Sequence, residues 1–432
     1  MSTPTTPAAV PDAAVPAAAA PAPAASDSAA SDSAAPASVE PAATSPRAPG
    51  SPAAAAPTGR QFELRAVSDD GRENRAVVTE LGAMLRVLEA DGVPLIEGFD
   101  ESVYPTFCAG WMLIPWPNRV RDARWHYDGA DLQLPITEPD RGNALHGFVF
   151  DLRHTVVDSS PASITLRALI EPTAPYPFAL TVDTTFTLAP ATPATPATAA
   201  APATPATPGT AATPVLTVTH AITNTGDRDA PAAVGAHPYF RIGDVATEQL
   251  TVTVNAATRV TVDDRLNPTG TAPVTGTPYD LSQGAVVGTL DLDTAYLDLT
   301  PAPDGRFVQT IAAPDGRRIE LWGDSSFDQA QVFTTQIFPR SGGLGWAVTV
   351  EPTTAAPDAL NSGHGLHWIA PGDTWTVSWG IDFAPVGGHD TLPAEPAEPD
   401  GPAAPAAPAP TALTAPTAPP APPAPTSQGE PR

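Results

Sequence analysis

The chain has 432 residues and a formal net charge of −26, and all its basic residues are arginines because it contains no lysine. This acidic balance disfavours nucleic acids and anionic membranes as partners, since both bind positively charged surfaces. The lack of lysine excludes a Schiff-base amine and a Walker-type phosphate-binding lysine. The single cysteine, Cys108, excludes an intrachain disulfide and a cysteine-rich metal site.

The 56 prolines are concentrated in three low-complexity stretches that consist largely of Ala, Pro, Ser and Thr: residues 1–58, 189–214 and 386–432. Such segments carry too little apolar surface to offset the entropy of ordering the chain, so we predict that they are disordered. The amino-terminal stretch lacks early positive charge, and prolines interrupt its apolar runs, which argues against a signal peptide. No run is long enough to span a membrane, and we expect a cytoplasmic protein.

Residues 59–385, apart from the 189–214 insert, leave about 300 residues for one large domain. Their recurring pattern is apolar residues at every second position, which is typical of half-buried strands. In chain order the predicted strands cover 83–88, 93–96, 163–170, 178–188, 215–223, 250–254, 318–322, 331–337, 346–350 and 375–383. Asp91-Gly92 predicts a hairpin between the first two. Helix patterns with caps are missing, so the sequence predicts an all-β sandwich.

The 189–214 insert falls between two alternating strands, 178–188 and 215–223. An insertion of this size costs little where it lengthens an exposed hairpin turn, because loop entropy grows slowly with length. We therefore place it at a hairpin tip, away from the functional site.

Five polar segments interrupt the apolar alternation at strand ends, where function is often located. They are residues 115–119, 144–147, 235–240, 292–296 and 350–352, which contain Arg119, His146, His237, Asp293 and Glu351. Each residue also has a structural interpretation: a surface arginine, turn histidines, a carboxylate that bonds its own backbone, or a solvated strand end. Cys108 and His220 lie in apolar surroundings, and we interpret both as buried structural residues.

A histidine together with a carboxylate is the natural equipment of general acid–base catalysis. A metal site is disfavoured because no pair of histidines has the short spacing of His-x-His or His-Glu-x-x-His. No Gly-x-Ser-x-Gly elbow points to a hydrolase. Aromatic residues close to the polar segments would suit the apolar face of a sugar ring; they are Trp116, Phe148, Tyr239, Phe240 and Phe333.

Four motifs in this order resemble the aldose 1-epimerase (galactose mutarotase) family. They are Asn118-Arg119, His146-Gly147, His237-Pro238-Tyr239-Phe240, and Glu351 followed by Pro357-Asp358-Ala359-Leu360-Asn361. The likeness runs from about residue 80 to about residue 383. It implies the large β-sandwich of galactose mutarotases, a small sugar as substrate, and no cofactor or metal.

The resemblance also implies roles for individual residues. Glu351 matches the family's general base and His237 its general acid. A histidine kept protonated by neighbouring carboxylates would suit an acid that works near neutral pH. The residues that match those holding the sugar are Asn118, Arg119, His146, Asp293 and Gln331. If these roles hold, the side-chain ends should line one cleft, with Glu351 and His237 a sugar ring apart.

Two alternatives to a mutarotase of free aldoses such as galactose or glucose stay open at this point. A hexose-phosphate 1-epimerase on the same fold would need a cationic phosphate clamp, for which Arg121, Arg124 or Arg241 are candidates. A non-catalytic sugar-binding module would keep the fold without needing an acid–base pair.

Overall fold

The structure is a computed structural model and describes residues 56–192, 211–340 and 342–385. These residues form strands almost throughout, with one short α-helix in the described part, α1 (Ala359–Ser362). The strands are β1 Gln61–Val67, β2 Glu73–Thr79, β3 Leu85–Ala90, β4 Val93–Pro94, β5 Met112–Leu113, β6 Arg119–Val120, β7 Arg124–Tyr127, β8 Ala130–Gln133, β9 Ala144–Leu145, β10 Thr155–Ser160, β11 Ser163–Ile170, β12 Leu180–Leu188, β13 Thr213–Asn224, β14 Ala230–Ala232, β15 Gly235–Ala236, β16 Tyr239–Phe240, β17 Thr251–Thr253, β18 Ala256–Val262, β19 Pro268–Pro273, β20 Ala285–Val286, β21 Asp293–Leu299, β22 Phe307–Ala312, β23 Arg318–Gly323, β24 Gln329–Arg340, β25 Gly343–Thr353, β26 His367–Ile369 and β27 Thr374–Ala384. Short 3-10 turns cover Arg121–Ala123, Val149–Asp151, Thr247–Gln249 and Val287–Thr289. The prediction of an all-β chain is confirmed.

Two large antiparallel sheets dominate the structure. One has nine strands in the order β10-β11-β12-β13-β27-β23-β22-β17-β20. The other has eight strands, with the order β19-β18-β21-β24-β25-β15-β5 and β16 paired to β25. One contiguous apolar cluster takes Phe186 and Trp379 from the first sheet and Val332 and Val350 from the second. The two sheets therefore pack as a sandwich around a shared core.

The alternation of the sequence explains which side of each strand enters this core. Along β12 the buried positions are every second residue, including Val182 and Phe186, and the residues between them are more exposed. Phe186 lies opposite Val218 on β13, which in turn lies opposite Trp379 on β27. Burying one such large apolar side chain stabilises the fold by about 1.5–3 kcal/mol.

The predicted hairpin at Asp91-Gly92 joins β3 to β4 in a smaller four-stranded sheet, β1-β2-β3-β4. Both turn residues have positive φ, 48° for Asp91 and 77° for Gly92. Positive φ at both central positions is the requirement of a type I′ turn, which matches the right-handed twist of the flanking strands.

The predicted 189–214 insert joins β12 to β13, which pair antiparallel from Leu180↔Asn224 to Leu188↔Leu216. Its last two residues, Thr213 and Pro214, are not disordered but belong to β13, where they pair with Phe383 and Asp382. Residues 1–55, 193–210 and 386–432, on which most of the predicted disorder falls, lie outside the described residues. Within the described ranges, no helix has the length and apolar character needed to cross a membrane.

Candidate active site

The register of β25 with its neighbours brings Glu351, Gln331 and His237 to one level of the eight-stranded sheet. Gln331 on β24 is the direct partner of Glu351. On the other side, β15 and β16 pair with β25 through Gly235↔Thr353 and Tyr239↔Thr349. Because His237 is midway between these two pairs, it is level with Glu351. The two residues that the family resemblance pairs are thus neighbours across adjacent segments.

A second pair of segments supplies Asn118 and His146. Strands β6 and β9 pair through Arg119↔Leu145, so the two residues just beyond them face each other. The His146 N–H donates to the Asn118 carbonyl at 3.0 Å, and the Asn118 N–H donates to His146 Nδ1 at 3.1 Å. Gly147 follows with a φ of 72°, and a Cβ there would lie 2.2 Å from the Ile114 carbonyl oxygen. The His-Gly motif is therefore required by a close backbone approach.

All seven predicted site residues line one cavity of about 140 Å³, although they are spread over more than 200 positions of the sequence. They are Asn118, Arg119, His146, His237, Asp293, Gln331 and Glu351. The interpretation of independent turn residues predicted scattered positions and does not describe this arrangement. The cavity is also lined by Phe107, Cys108, Leu145, Tyr239 and Phe333.

A continuous polar network fixes the groups on one wall of this cleft. The Asn118 amide Nδ2 donates to Gln331 Oε1 at 3.2 Å, and Gln331 Nε2 donates to Asp293 Oδ1 at 2.5 Å. Nη2 of Arg119 lies 3.5 Å from Oδ2 of Asp293. Arg119 also donates to the Glu138 carboxylate through Nε at 2.9 Å and Nη2 at 3.0 Å. Both amides therefore have a defined orientation, with each group accepting from one neighbour and donating to the next.

Glu351 and His237 form a buried pair, with 3.4 Å between Glu351 Oε1 and His237 Nε2 and side chains only 3% and 7% exposed. Burial raises the pKa of the Glu351 carboxyl well above its usual range, and the Asp293 carboxylate adds to this shift. Burial also lowers the pKa of His237 to about 3. The neutral forms of both groups are therefore favoured in the unliganded cleft, with the proton on the carboxyl group.

Two sequence-based expectations about this pair are wrong. His237 was expected to be protonated by neighbouring carboxylates, but the cost of burying its charge outweighs their attraction. The pair was also expected to stand a sugar ring apart, whereas its nearest atoms are 3.4 Å apart. This shorter distance matches two oxygens bonded to the same carbon better than it matches opposite edges of a ring.

The hydrogen bond that His146 accepts determines its protonation state. Because Nδ1 accepts the Asn118 N–H, the proton of the neutral ring is on Nε2, which makes that nitrogen a donor. Burial lowers the pKa of His146 well below its usual value, and the neighbouring His237 and Arg119 act in the same direction. His146 is thus a neutral group with a fixed hydrogen-bond donor at Nε2.

Among the described residues, one cluster has the composition of a metal site: the ligand atoms of Cys108, His146 and His237 lie within 4.8 Å of one another. A metal at His146 Nε2 would displace the proton to Nδ1, which already accepts a backbone N–H. Burial further raises the pKa of the Cys108 thiol and so opposes the thiolate that a metal requires. The cluster is therefore poorly suited to bind a metal ion.

The aromatic residues divide between the cleft and the core. Tyr239 and Phe333 line the cleft as predicted, joined by Phe107, whose carbonyl accepts the Tyr239 hydroxyl at 3.1 Å. The prediction is wrong for three others, which belong to the apolar core or pack against it: Trp116, Phe148 and Phe240.

Two further sequence interpretations are resolved by the structure. Cys108 lies in the cleft wall instead of the core; the residue as a whole is half-buried, while its thiol is shielded enough for burial to raise its pKa. His220 is fully buried between Thr184 and Trp379, as the apolar strand pattern predicted. Glu138 was missed by the sequence analysis because it lies in a loop with no motif; its only signal is a charged turn, Glu138 to Arg141.

The candidate phosphate-clamp arginines lie elsewhere. Arg121 contacts Asp263 and the Pro268 carbonyl, and Arg241 donates to the Gly243 carbonyl at 2.6 Å. Arg124 is exposed on β7. None of the three lines the cleft. Among the described residues that do line it, Arg119 is the one with a cationic side chain.

The protein is therefore an all-β sandwich, and the buried histidine–carboxylate pair in its polar cleft gives it a candidate acid–base site. The family model for aldose 1-epimerase matches residues 66–209 and 210–381. The chain belongs to the aldose 1-epimerase family, and the family resemblance of the sequence is confirmed.

One curated protein is similar in sequence, and solved structures share the fold. The chain is 26% identical over 309 residues to the uncharacterized protein YihR of Escherichia coli (strain K12), covering 71% of this chain and 90% of that protein. A GalM/aldose epimerase homologue from C. elegans superposes with a TM-score of 0.58 at 18% identity, over 74% of this chain and 99% of that chain. Galactose 1-epimerase from Lactobacillus acidophilus NCFM gives 0.54 at 16% identity, over 75% and 99%. The predicted galactose-mutarotase-like sandwich is confirmed.

Proposed function

We propose that the protein is an aldose 1-epimerase that interconverts the α and β anomers of a free, uncharged aldose. The observation that carries this proposal is the Glu351–His237 pair, buried and 3.4 Å apart in a cleft that holds all seven predicted residues. Epimerisation at the anomeric carbon needs a base for the hydroxyl proton and an acid for the ring oxygen, and these two oxygens are bonded to the same carbon. Two groups 3.4 Å apart can each reach one of them.

The reaction balances with proton transfers alone. Glu351 as carboxylate takes the proton of the anomeric hydroxyl while His237 as imidazolium protonates the ring oxygen. The bond between the anomeric carbon and the ring oxygen breaks and leaves an open-chain aldehyde. The carbonyl then rotates, and closure on its other face returns both protons. Because only protons move, no cofactor takes part.

The unliganded pair holds the number of protons that this cycle needs. A protonated Glu351 with a neutral His237 has the same net charge as a carboxylate with an imidazolium, and the two states differ by one proton moved between the residues. The favoured neutral state, set by burial, is the state that catalyses ring closure. Ring opening requires the proton to be on His237, which the polar hydroxyls of a bound sugar would favour by replacing lost hydration.

The charges of the cleft support an uncharged substrate over a sugar phosphate. Arg119 is the one cation among the described lining residues, and it already faces Glu138 and Asp293. A phosphate clamp needs cationic groups that are free to bind the anion. The cleft therefore offers no free cationic group among the described residues to support the alternative of a hexose-phosphate epimerase.

A non-catalytic sugar-binding module is also less well supported. Among the described residues, neither His237 Nδ1 nor Glu351 Oε2 has a hydrogen-bond partner, although both atoms are buried. Sugar binding alone does not require a carboxyl group and an imidazole to be buried side by side, whereas acid–base chemistry at two oxygens of one carbon does.

Polarimetry of freshly dissolved α-D-glucose and α-D-galactose tests the proposal. With the protein present, the rotation of at least one sugar should approach its usual equilibrium value faster, since a catalyst changes the rate and leaves the endpoint unchanged. The Glu80→Gln variant is a control that should keep the acceleration, because it removes an arginine-paired glutamate that does not line the cleft. Equal rates with and without protein for a panel of neutral aldoses would reject the proposal.

A further inference from the structure

We propose that Glu138, which the family motifs do not include, sets the preference of this cleft for uncharged aldoses by neutralising and orienting Arg119. This inference rests on the proposed function and adds a residue that determines specificity. Glu138 does not line the cleft itself, so it acts as a positioning residue through Arg119.

The geometry of the Arg119–Glu138 pair is that of a fixed, two-point contact. Nε and Nη2 of Arg119 donate to different oxygens of the Glu138 carboxylate, at 2.9 and 3.0 Å. The two side chains are only 11% and 13% exposed. Such a two-point contact fixes the plane of the guanidinium as well as its position, and shielding from water strengthens the interaction.

Glu138 is itself held by the turn that follows it. Its backbone carbonyl accepts the N–H groups of Gly142, at 2.8 Å, and Asn143, at 3.3 Å. The Asn143 amide also approaches the Glu138 carboxylate at 3.4 Å. Asn143 is fully buried, so this turn is anchored within the fold and gives the carboxylate a defined position.

The local charge count explains the effect on specificity. Arg119 supplies one positive charge, while Glu138 and Asp293 each supply one negative charge at 2.9 and 3.5 Å from its guanidinium. A second guanidinium, that of the more exposed Arg141, lies 3.5 Å from the Glu138 carboxylate, so the four groups together are neutral. Arg119 and Asp293 both line the cavity, so an anionic substituent on the part of a bound sugar that faces them would lie close to these charges. Without the charge of Glu138, the two arginines and Asp293 would be positive by one charge, and the cleft would accept an anionic sugar more readily.

The test compares D-galactose with D-galacturonate, which carries a carboxylate at C6, in wild type, Glu138→Gln and Glu80→Gln. The Glu138→Gln substitution keeps the size of the side chain but removes its charge. For this variant we expect the ratio of kcat/KM for galacturonate to that for galactose to rise roughly tenfold, the order expected for the loss of one charge about 10 Å from the substrate carboxylate in a partly shielded site. The change should come mainly from KM for galacturonate. Glu80→Gln should leave the ratio within about twofold of wild type.

An unchanged ratio in folded Glu138→Gln would overturn the inference while the proposed function stands. If Glu138→Gln does not fold, Glu138→Asp decides: it keeps the charge but shortens the side chain. It should lower kcat for galactose and keep the ratio within about twofold, and a tenfold change in that ratio would overturn the inference.

If the wild type accelerates neither sugar, the proposed function fails separately. The preference is then measured by calorimetric binding of the same two sugars to wild type and Glu138→Gln. The same tenfold gain in relative galacturonate affinity is expected there, and its absence overturns the inference.

Discussion

His220 in the nine-stranded sheet and His237 in the cleft are both buried, and burial lowers the pKa of each to about 3. Their hydrogen bonding is different. His220 Nε2 accepts the Trp379 indole N–H at 3.1 Å, and its Nδ1 lies 3.1 Å from the Thr184 hydroxyl. His237 has a carboxyl group 3.4 Å from Nε2 and, among the described residues, no partner for Nδ1.

The comparison shows that burial and a shifted pKa do not by themselves mark a functional histidine. Both ring nitrogens of His220 are hydrogen-bonded, so this residue links β12, β13 and β27. Neither nitrogen is left to transfer a proton to a substrate. In His237 the ring is less fully bonded and adjoins a second ionisable group, so a proton can move between the two. Substitutions at the two positions should therefore affect different properties: stability at His220 and rate at His237.

The largest expected effect is on the rate of epimerisation. His237→Gln keeps a polar side chain but removes the proton-transfer group, so kcat should fall by about 10²–10⁴-fold. The free energy of unfolding should change little, because the lost ring has few hydrogen bonds to lose. Polarimetry and urea denaturation of the same preparation measure both quantities. A variant that loses stability while keeping its rate would reverse the assigned roles.

Stability should respond next, at the other histidine. His220→Leu leaves the Trp379 N–H and the Thr184 hydroxyl without their buried partner, which should lower the free energy of unfolding by about 2–4 kcal/mol. The rate per folded molecule should stay within about twofold of wild type. Urea denaturation followed by circular dichroism measures the change. A wild-type stability would show that His220 does not hold these strands together.

The smallest of these effects, counted per histidine, is the dependence of stability on pH. His220 and His237 are neutral in the folded protein, whereas in the unfolded chain they take up protons below their ordinary pKa of about 6.5. The unfolded state then binds more protons, so stability should fall as pH falls from 6.5 towards 3. At pH 5 the loss should be about 2 kcal/mol for each histidine. Glu351, whose pKa is raised, has the opposite sign: its contribution to stability falls as pH rises above about 4.5.

The His220→Leu variant serves as the control for this pH dependence. Between pH 6.5 and 5 the urea midpoint of this variant should decline less steeply than that of wild type. The difference corresponds to the loss of stability caused by one histidine. Parallel curves for the two proteins would show that His220 is not a neutral buried ring in the folded state.

Much of the fold could be predicted because apolar and polar residues alternate clearly along strands such as β12 and β27. Apolar residues at every second position indicate a strand with one buried face. The site residues could be collected because the motifs are short and local. The direction of each side chain was harder to predict. Tyr239 lines the cleft while Phe240 enters the core, a difference that strict alternation along β16 would have predicted.

Other features depend on tertiary structure and have no local signal. Glu138 reaches Arg119 from a loop nineteen positions away, and only the fold brings them together. The protonation of His237 depends on the total burial of the cleft, which the sequence around residue 237 does not contain. Tertiary burial therefore overrides the expectation that a carboxylate neighbour keeps a histidine charged.

The measurement that tests the central claim most directly is a double-mutant cycle on the buried pair. Glu351→Gln and His237→Gln should each lower kcat by about 10²–10⁴-fold, with sugar affinity little changed. Because the two residues exchange one proton, the double variant should be no more than about tenfold slower than the slower single variant. Losses that multiply, or a single variant at the wild-type rate, would contradict the claim that Glu351 and His237 act as one acid–base unit.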